Sequence, residues 1–405
     1  MGSELAWGPQ PSARFEPLAA KYRPLFDRIR EGALARELDR RLPVEEIADL
    51  KQAGFGALRV PPQHGGAGLT LPEFFALLIE FSEADSNITQ SLRAHFGFVE
   101  DALSAADPER SVRWLERVGR GALVGGAWSE VGEAKQAAFS TKVSGPPNAL
   151  RLDGRKYYST GALFSDWVDV GATDEAGEGV NVTILRSAPG VEILDDWDGI
   201  GQALTASGTA IFHGVAVEPG EVRKAKGRFA WSPAFFQLVH LATLAGIGRA
   251  LAGELAAAVA RRDRSYSHAT ADRPARDPQV LQVVGRVRSL AYATGPIVLA
   301  AAAALERATQ STDDPDALAA AIATSEIETA QAQIAVIDLV LQAGTIAFDA
   351  LGASAVRRSF GLDRHWRNAR TLASHNPRIY KERIIGDYAV NGAAPPPQWR
   401  IGKPE

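Results

Sequence analysis

The strongest constraint on this chain is a change of period. From about residue 121 to residue 217 the apolar residues come in short β-type runs, while both flanks repeat at helical spacing. A β domain inserted between two helical segments follows. Leu150-Arg-Leu-Asp153-Gly154-Arg-Lys156 reads as a first hairpin, with Asp-Gly taking the positive φ values of a type I′ turn. Val168 to Ala172 and Val180 to Leu185, separated by a Gly/Asp/Glu loop, read as a second hairpin, and Thr209 to His213 as a further strand. Between them lie Trp, Tyr, Ser and Thr beside Gly, a mixture suited to stacking and hydrogen-bonding a flat polar ligand.

The helical flanks carry clear start signals. Pro43 opens and Gly54 closes a first amphipathic helix. Thr70-Leu-Pro-Glu73 is a capping box ahead of a run from Phe74 to Phe81 that is apolar on nearly all faces and therefore buried. Asp107-Pro108 starts another helix. After Trp231 the pattern is helical again: Ala234 to Arg264, Asp277-Pro278 through Gln310, and Asp314-Pro315 to about Phe348, with the apolar stripe of a bundle. The expected organisation is an N-terminal helical domain over 1–120, a β-barrel-like domain over 121–228 and a C-terminal four-helix bundle over 229–405, an α+β chain that is mostly α.

Composition narrows the function. A formal net charge of −4 offers no footprint for nucleic acid. Ile297 to Leu305 is the longest apolar run, too short for a bilayer span, and the first residues show no signal-peptide pattern, so a cytoplasmic, membrane-free protein is expected. The chain has no cysteine and one methionine, where average usage gives on the order of ten or more sulfur residues. Disulfides, Fe–S clusters and thiolate catalysis are thereby excluded. A GC-rich genome accounts for part of this; a protein made when sulfur is scarce accounts for it as well.

Several motifs resolve to packing. His64-Gly-Gly-Ala-Gly68 lacks any accompanying nucleophile elbow, Gly246-Ile-Gly248 lacks the third glycine of a dinucleotide fingerprint, and the seven histidines show no metal spacing. What remains is Trp128-Ser129-Glu130, Lys156-Tyr-Tyr158-Ser159-Thr160-Gly161, Trp197, Arg262-Asp-Arg264, Arg370-Thr371 and Ser374-His375-Asn376-Pro377.

In order and spacing these segments resemble the acyl-CoA dehydrogenases, from about Leu42 to the C-terminus, and in particular the branch of dibenzothiophene and sulfur-acquisition monooxygenases that uses reduced flavin and oxygen. The resemblance implies that Trp128, Ser129, Tyr158, Ser159, Thr160 and Trp197 contact a flavin ring. It also implies that Arg262 or Arg264 reaches the flavin phosphate of a neighbouring subunit, with Arg370 and Thr371 as further candidates. His375 and His95 would hydrogen-bond the oxygen added at flavin C4a, and Thr160 or Ser159 would engage N5. A core role for His95 stays open on the sequence.

Departures from the family are informative. Where acyl-CoA dehydrogenases carry a catalytic Glu, no acid lies between Arg364 and Tyr380. Val131 to Gln136 replaces their Gly-Ser-Asp, Gly352-Ala-Ser-Ala replaces Gly-Gly-x-Gly, and Gly126 stands where sulfur-heterocycle monooxygenases have an amide. The missing acid argues against α,β-dehydrogenation by the ordinary route, and the replacements at Val131 to Gln136 and at Gly352 point to FMN in place of FAD and to no CoA. The expectation is a two-component enzyme: a separate NAD(P)H:flavin reductase supplies reduced FMN, O2 is the oxidant, a small organosulfur compound (sulfide, sulfoxide or sulfinate) is the substrate, and the chain is a homotetramer. An acyl-CoA dehydrogenase-like enzyme, a nitrogen- or carbon-oxygenating relative, and a silent flavin-binding scaffold are the alternatives.

Overall fold

The computed structural model describes residues 7–130, 139–225, 228–310 and 314–396. Val131 to Gln136 lies outside the described residues. Six helices come first: α1 (Phe15–Asp39), α2 (Val44–Gln52), α3 (Leu71–Ala84), α4 (Ser86–Ser91), α5 (Arg93–Leu103) and α6 (Pro108–Gly119). The capping box at α3 forms in both directions: Thr70 Oγ1 accepts from Glu73 N–H at 3.4 Å, and the Glu73 carboxylate accepts from Thr70 N–H at 2.9 Å.

Eight strands follow: β1 (Val124–Ala127), β2 (Lys142–Ser144), β3 (Arg151–Lys156), β4 (Trp167–Thr173), β5 (Gly179–Leu185), β6 (Val191–Ile193), β7 (Ala210–Ala216) and β8 (Val222–Lys224). They form one sheet in the order β6-β7-β3-β2-β4-β5-β8, with β1 added parallel to β4. The β4–β5 hairpin lies where expected, pairing Trp167 with Leu185 through Thr173 with Gly179.

The Asp153-Gly154 hairpin does not form. Both residues lie inside β3, and the register against β7 shifts between Leu152 and Gly154. The positive φ that Asp-Gly tolerates is used for a bulge, not a turn. Gly154 has φ +150, and a Cβ there would lie 2.5 Å from Thr141 Oγ1. The Asp153 carboxylate accepts from Gly214 N–H at 2.7 Å, pinning the irregularity to the neighbouring strand.

Five helices close the chain: α7 (Ser232–Arg261), α8 (Pro278–Thr309), α9 (Pro315–Ile346), α10 (Asp363–His375) and α11 (Arg378–Asn391). Asp277 caps α8, accepting from Gln279 N–H at 2.9 Å. The two helical regions share one core, in which Phe74 and Phe75 of α3 pack on Phe235 of α7 and Val336 of α9 joins Ala369 of α10. Gly246 lets α7 touch α3: a Cβ there would lie 2.3 Å from Ser82 Cβ. The sheet has its own core around Val168, Val170, Val182 and Phe212.

By length and composition, α7, α8 and the helical stretch beginning with α9 are each apolar enough to cross a membrane, contrary to the reading from continuous apolar runs. The discrepancy is geometric, since a bundle helix needs a stripe rather than a run. The most apolar window of α7 is 89% buried inside the protein, against 44% for each of the other two.

Candidate active site

The loops after β1 and β3 lie side by side, with Tyr157 N–H donating to the Ser129 carbonyl at 3.0 Å. Beyond that contact a seam of hydroxyls begins. Thr160 Oγ1 is 2.7 Å from Ser207 Oγ, which is 2.7 Å from Thr205 Oγ1, which donates to the Gln202 carbonyl at 2.8 Å. Ser159 is buried, and its hydroxyl donates to the Gly208 carbonyl at 2.8 Å, so Thr160 carries the less confined hydroxyl. Tyr158 is exposed, and its ring meets Trp197 edge-on at 6.0 Å. The Trp197 indole donates to the Gly201 carbonyl at 3.3 Å.

Backbone strain collects at this seam. Tyr158, Gln202 and Ala206 have φ values of 65°, 53° and 47°, which side chains with a Cβ seldom adopt. Such positions persist where surrounding contacts over-determine them. Here Gln202 N–H donates to Asn368 Oδ1 of α10 at 2.6 Å, and Leu204 N–H donates to Asn87 Oδ1 of α4 at 3.2 Å. The seam is thus clamped between the helical layers.

Trp128 is half-buried. Its indole donates to Asp169 Oδ2 at 3.0 Å, the Arg228 guanidinium lies 4.1 Å from its ring centre, and its edge meets Phe236 at 5.7 Å. With its N–H occupied, Trp128 has ring surface to offer a ligand. Gly126 also gains a reason: a Cβ there would lie 2.9 Å from Ala94 Cβ, so α5 passes too close for an amide side chain.

Beyond Phe236, side chains of α5, α7, α9 and α10 come together. His375 ends α10, where Asn376-Pro377 stops the helix. Its Nδ1 is 3.2 Å from Asn376 Oδ1. Asn376 is itself fixed, donating to Gln237 Oε1 at 2.7 Å while its carbonyl accepts from Gln333 Nε2 at 2.9 Å. The His240 ring lies 4.4 Å from that of His375, is fully buried, and among the described residues has no partner on either nitrogen. Thr329 Oγ1 and Gln333 Oε1 are likewise buried without partners. Arg93 donates through Nε to the Phe236 carbonyl at 3.1 Å, its guanidinium 4.7 Å from the Phe236 ring centre. Burial first, and the Arg93 guanidinium second, hold both imidazoles below their ordinary pKa and hence neutral. His375 is exposed at the end of α10, with the buried His240 on one side of its ring.

The other predicted residues divide. His95 is corrected to a structural role: its Nε2 is 2.8 Å from the Gly56 carbonyl and its Nδ1 accepts from Val124 N–H at 3.1 Å, leaving no ring nitrogen for a ligand. Burial lowers its pKa to about 4. Arg262 donates to the Leu351 and Arg264 carbonyls, and Arg264 is exposed. Both follow the far end of α7, roughly 33 Å along the helix from His240 at 1.5 Å per residue. Within one chain they do not meet the seam. Arg370 is exposed and Thr371 Oγ1 donates to the Arg367 carbonyl at 2.9 Å. Sequence reasoning missed Arg93, His240, Gln237, Thr205 and Ser207. A Ser/Thr/Gly cluster at 205–209 was the only signal for the last two.

Residues 22–122 match the acyl-CoA dehydrogenase N-terminal domain family. Over 95% of its length the chain is 28% identical to a probable FMNH2-dependent monooxygenase, SfnC of Pseudomonas putida, covering 97% of that protein. The methanesulfinate monooxygenase MsuC of Pseudomonas fluorescens superposes with a TM-score of 0.85 at 27% identity, covering 94% of this chain and 98% of MsuC. FMN-bound TdsC of Paenibacillus sp. A11-2, a dibenzothiophene monooxygenase, gives 0.85 at 25% identity, with 94% and 99% covered. Likeness along the whole chain, in sequence and in structure, is to flavin-dependent monooxygenases, and the chain is a flavin-dependent monooxygenase with the acyl-CoA dehydrogenase fold.

Proposed function

We propose that this protein is the oxygenase of a two-component system, receiving reduced FMN from a separate NAD(P)H:flavin reductase and oxygenating a small organosulfur compound. One observation carries the reading: two neutral imidazoles stand side by side near the Arg93 guanidinium, and among the described residues no carboxylate bears on either. A dehydrogenase needs a base to take an α-proton, and a histidine held neutral with a lowered pKa is a poor one.

The residues present fit a flavin. Tyr158, Trp197 and Trp128 supply aromatic surface, Thr160 supplies a hydroxyl at a strained and clamped turn, and His240 supplies unpartnered buried nitrogens close by. Bound flavin supplies two electrons and activates O2, one atom of which goes to sulfur while the other leaves as water. Thr160 would hold the ring edge, and Trp128 and Trp197 its faces. His375 would donate a hydrogen bond to the negatively charged oxygen, positioned by Asn376, Gln237 and Gln333. Bound flavin and substrate would cover His375, which is exposed in the chain itself, and so exclude water there.

Single-turnover oxidation of reduced FMN on the protein, with a panel of sulfides, sulfoxides and sulfinates, tests the reading. Oxidation slower than in free solution, with one oxygenated product per flavin in the presence of the right compound, is expected. Oxidation at the free rate with stoichiometric H2O2 for every compound would overturn it.

Two further outcomes follow from this reading. FMN binds more tightly than FAD, and acyl-CoA does not bind measurably, because the elements that hold the adenylate and CoA are replaced in this sequence. Calorimetric titration with the three ligands decides it, and tight thioester binding would count against it. The chain also sediments as a tetramer at micromolar concentration. The half-covered apolar windows of α8 and α9, and the exposed Ile379, Tyr380, Tyr388 and Val390 on α11, leave surface for further copies, as Arg262 or Arg264 at a neighbour's phosphate requires. A monomer at that concentration would contradict it.

A further inference from the structure

Arg93 is a cation without a counter-ion. Nearby Arg228 lies 3.5 Å from the Asp101 carboxylate, and Arg223 pairs with Asp169 at 2.8 Å. Arg93, by contrast, makes no ion pair among the described residues; its one hydrogen bond runs from Nε to a backbone carbonyl. Burial, together with Arg228, lowers it to about 9, and no carboxylate among the described residues offsets this. Removing a charge from water without a partner costs several kcal/mol in general, so an uncompensated guanidinium at depth calls for an anion. It is not sealed in, because Arg93 retains accessible surface.

Geometry narrows the anion. The bond to Phe236 and the ring 4.7 Å away fix the guanidinium plane and leave both terminal nitrogens without a hydrogen bond among the described residues. Such a fork matches two oxygens on one centre. The guanidinium lies close enough to His375 and His240 to act on both rings, and the fully buried His240, beside His375, has both ring nitrogens unpartnered among the described residues. A sulfinate, R–SO2⁻, offers two oxygens to the fork and keeps a lone pair on sulfur for the incoming oxygen. A thioether or thiophene has nothing for the fork to hold.

We propose that Arg93, with His375 and His240 beside it, is the subsite for the headgroup of a short-chain sulfinate, so that the enzyme selects an anionic organosulfur substrate over neutral sulfur heterocycles. This rests on the oxygenase reading above for the element that is oxygenated, though not for the presence of an anion site.

The test is calorimetric titration of the protein loaded with oxidised FMN, using sodium methanesulfinate and neutral dimethyl sulfone against wild type, Arg93→Met and Arg93→Lys. Sulfinate is expected to bind wild type, to weaken by roughly a hundredfold in Arg93→Met and to recover part of that in Arg93→Lys. Sulfone binds weakly throughout, and the Kd for FMN changes only a few-fold. Equal sulfinate binding in wild type and Arg93→Met would overturn the proposal, as would sulfone binding wild type as tightly as sulfinate. Loss of FMN itself in Arg93→Met would assign the guanidinium to the flavin and also overturn it. Should Arg93→Met fail to fold, the lysine variant and the wild-type comparison of sulfinate with sulfone decide. Oxygenation of a neutral sulfide without sulfinate binding would sink this inference and leave the oxygenase reading standing. Sulfinate binding without oxygenation of any sulfur compound would do the reverse.

Discussion

His375→Ala slows oxygen transfer by on the order of a hundredfold, so that most of the O2 consumed emerges as H2O2, while FMN affinity stays within a few-fold of wild type. The first half follows from what the imidazole does. It is neutral, it stands beside the buried His240, and three amide side chains anchor its helix end: Asn376 through Gln237 at 2.7 Å and through Gln333 at 2.9 Å. A donor held in place, and covered from water once flavin and substrate are bound, contributes about 3 kcal/mol toward a developing oxyanion, which converts to that factor. The second half follows from separation of tasks, since ring contacts are assigned to the seam around Thr160 and to Trp128 and Trp197. Thr160→Ala supplies the contrast, weakening FMN binding as well. Stopped-flow absorbance with a peroxide assay reads both variants. Unchanged coupling in His375→Ala would remove it from the mechanism and move attention to His240, the imidazole beside it.

Gly161→Ala destabilises the protein by about 3 kcal/mol or more and weakens FMN binding in whatever fraction folds. Gly161 has φ +76, and a Cβ there would lie 1.8 Å from the Ser91 carbonyl oxygen, well inside contact distance. Neither neighbour can give way cheaply. Ser91 is at the end of α4, and Gly161 N–H donates to the Thr205 carbonyl at 3.1 Å. The loop must therefore shift as a unit, carrying the adjacent Thr160 with it. Gly177→Ala is the control: it shares a positive φ of 83° but meets nothing within 4 Å, so its cost is the backbone strain alone, about 1 kcal/mol. Thermal denaturation compares the two, and equal midpoints would show that the seam does not depend on this close approach.

The order helix–sheet–helix, the caps at Thr70, Asp107, Asp277 and Asp314, and the β4–β5 hairpin are local properties, fixed by period and by side chains that bond their own backbone neighbours. They were therefore legible in the sequence. So was the exposure of His375 at a helix end, because Pro377 forbids continuation whatever packs nearby. The same local logic misassigned Asp153-Gly154: a dipeptide that permits positive φ fits a turn and a bulge equally, and only pairing with β7 chose the bulge. His95 shows the limit more sharply. A lone histidine on a buried helix has the same local signature whether or not backbone groups fill its nitrogens, and Gly56 and Val124, 39 and 29 residues away, filled both. Arg93 and His240 read as ordinary helix residues, 147 positions apart by their numbering. Sequence alone determined which elements form and where a flavin-type residue mixture lies. Only the tertiary structure decided which polar atoms are left without partners, because satisfaction of a buried donor depends on what the rest of the chain brings within 3 Å of it.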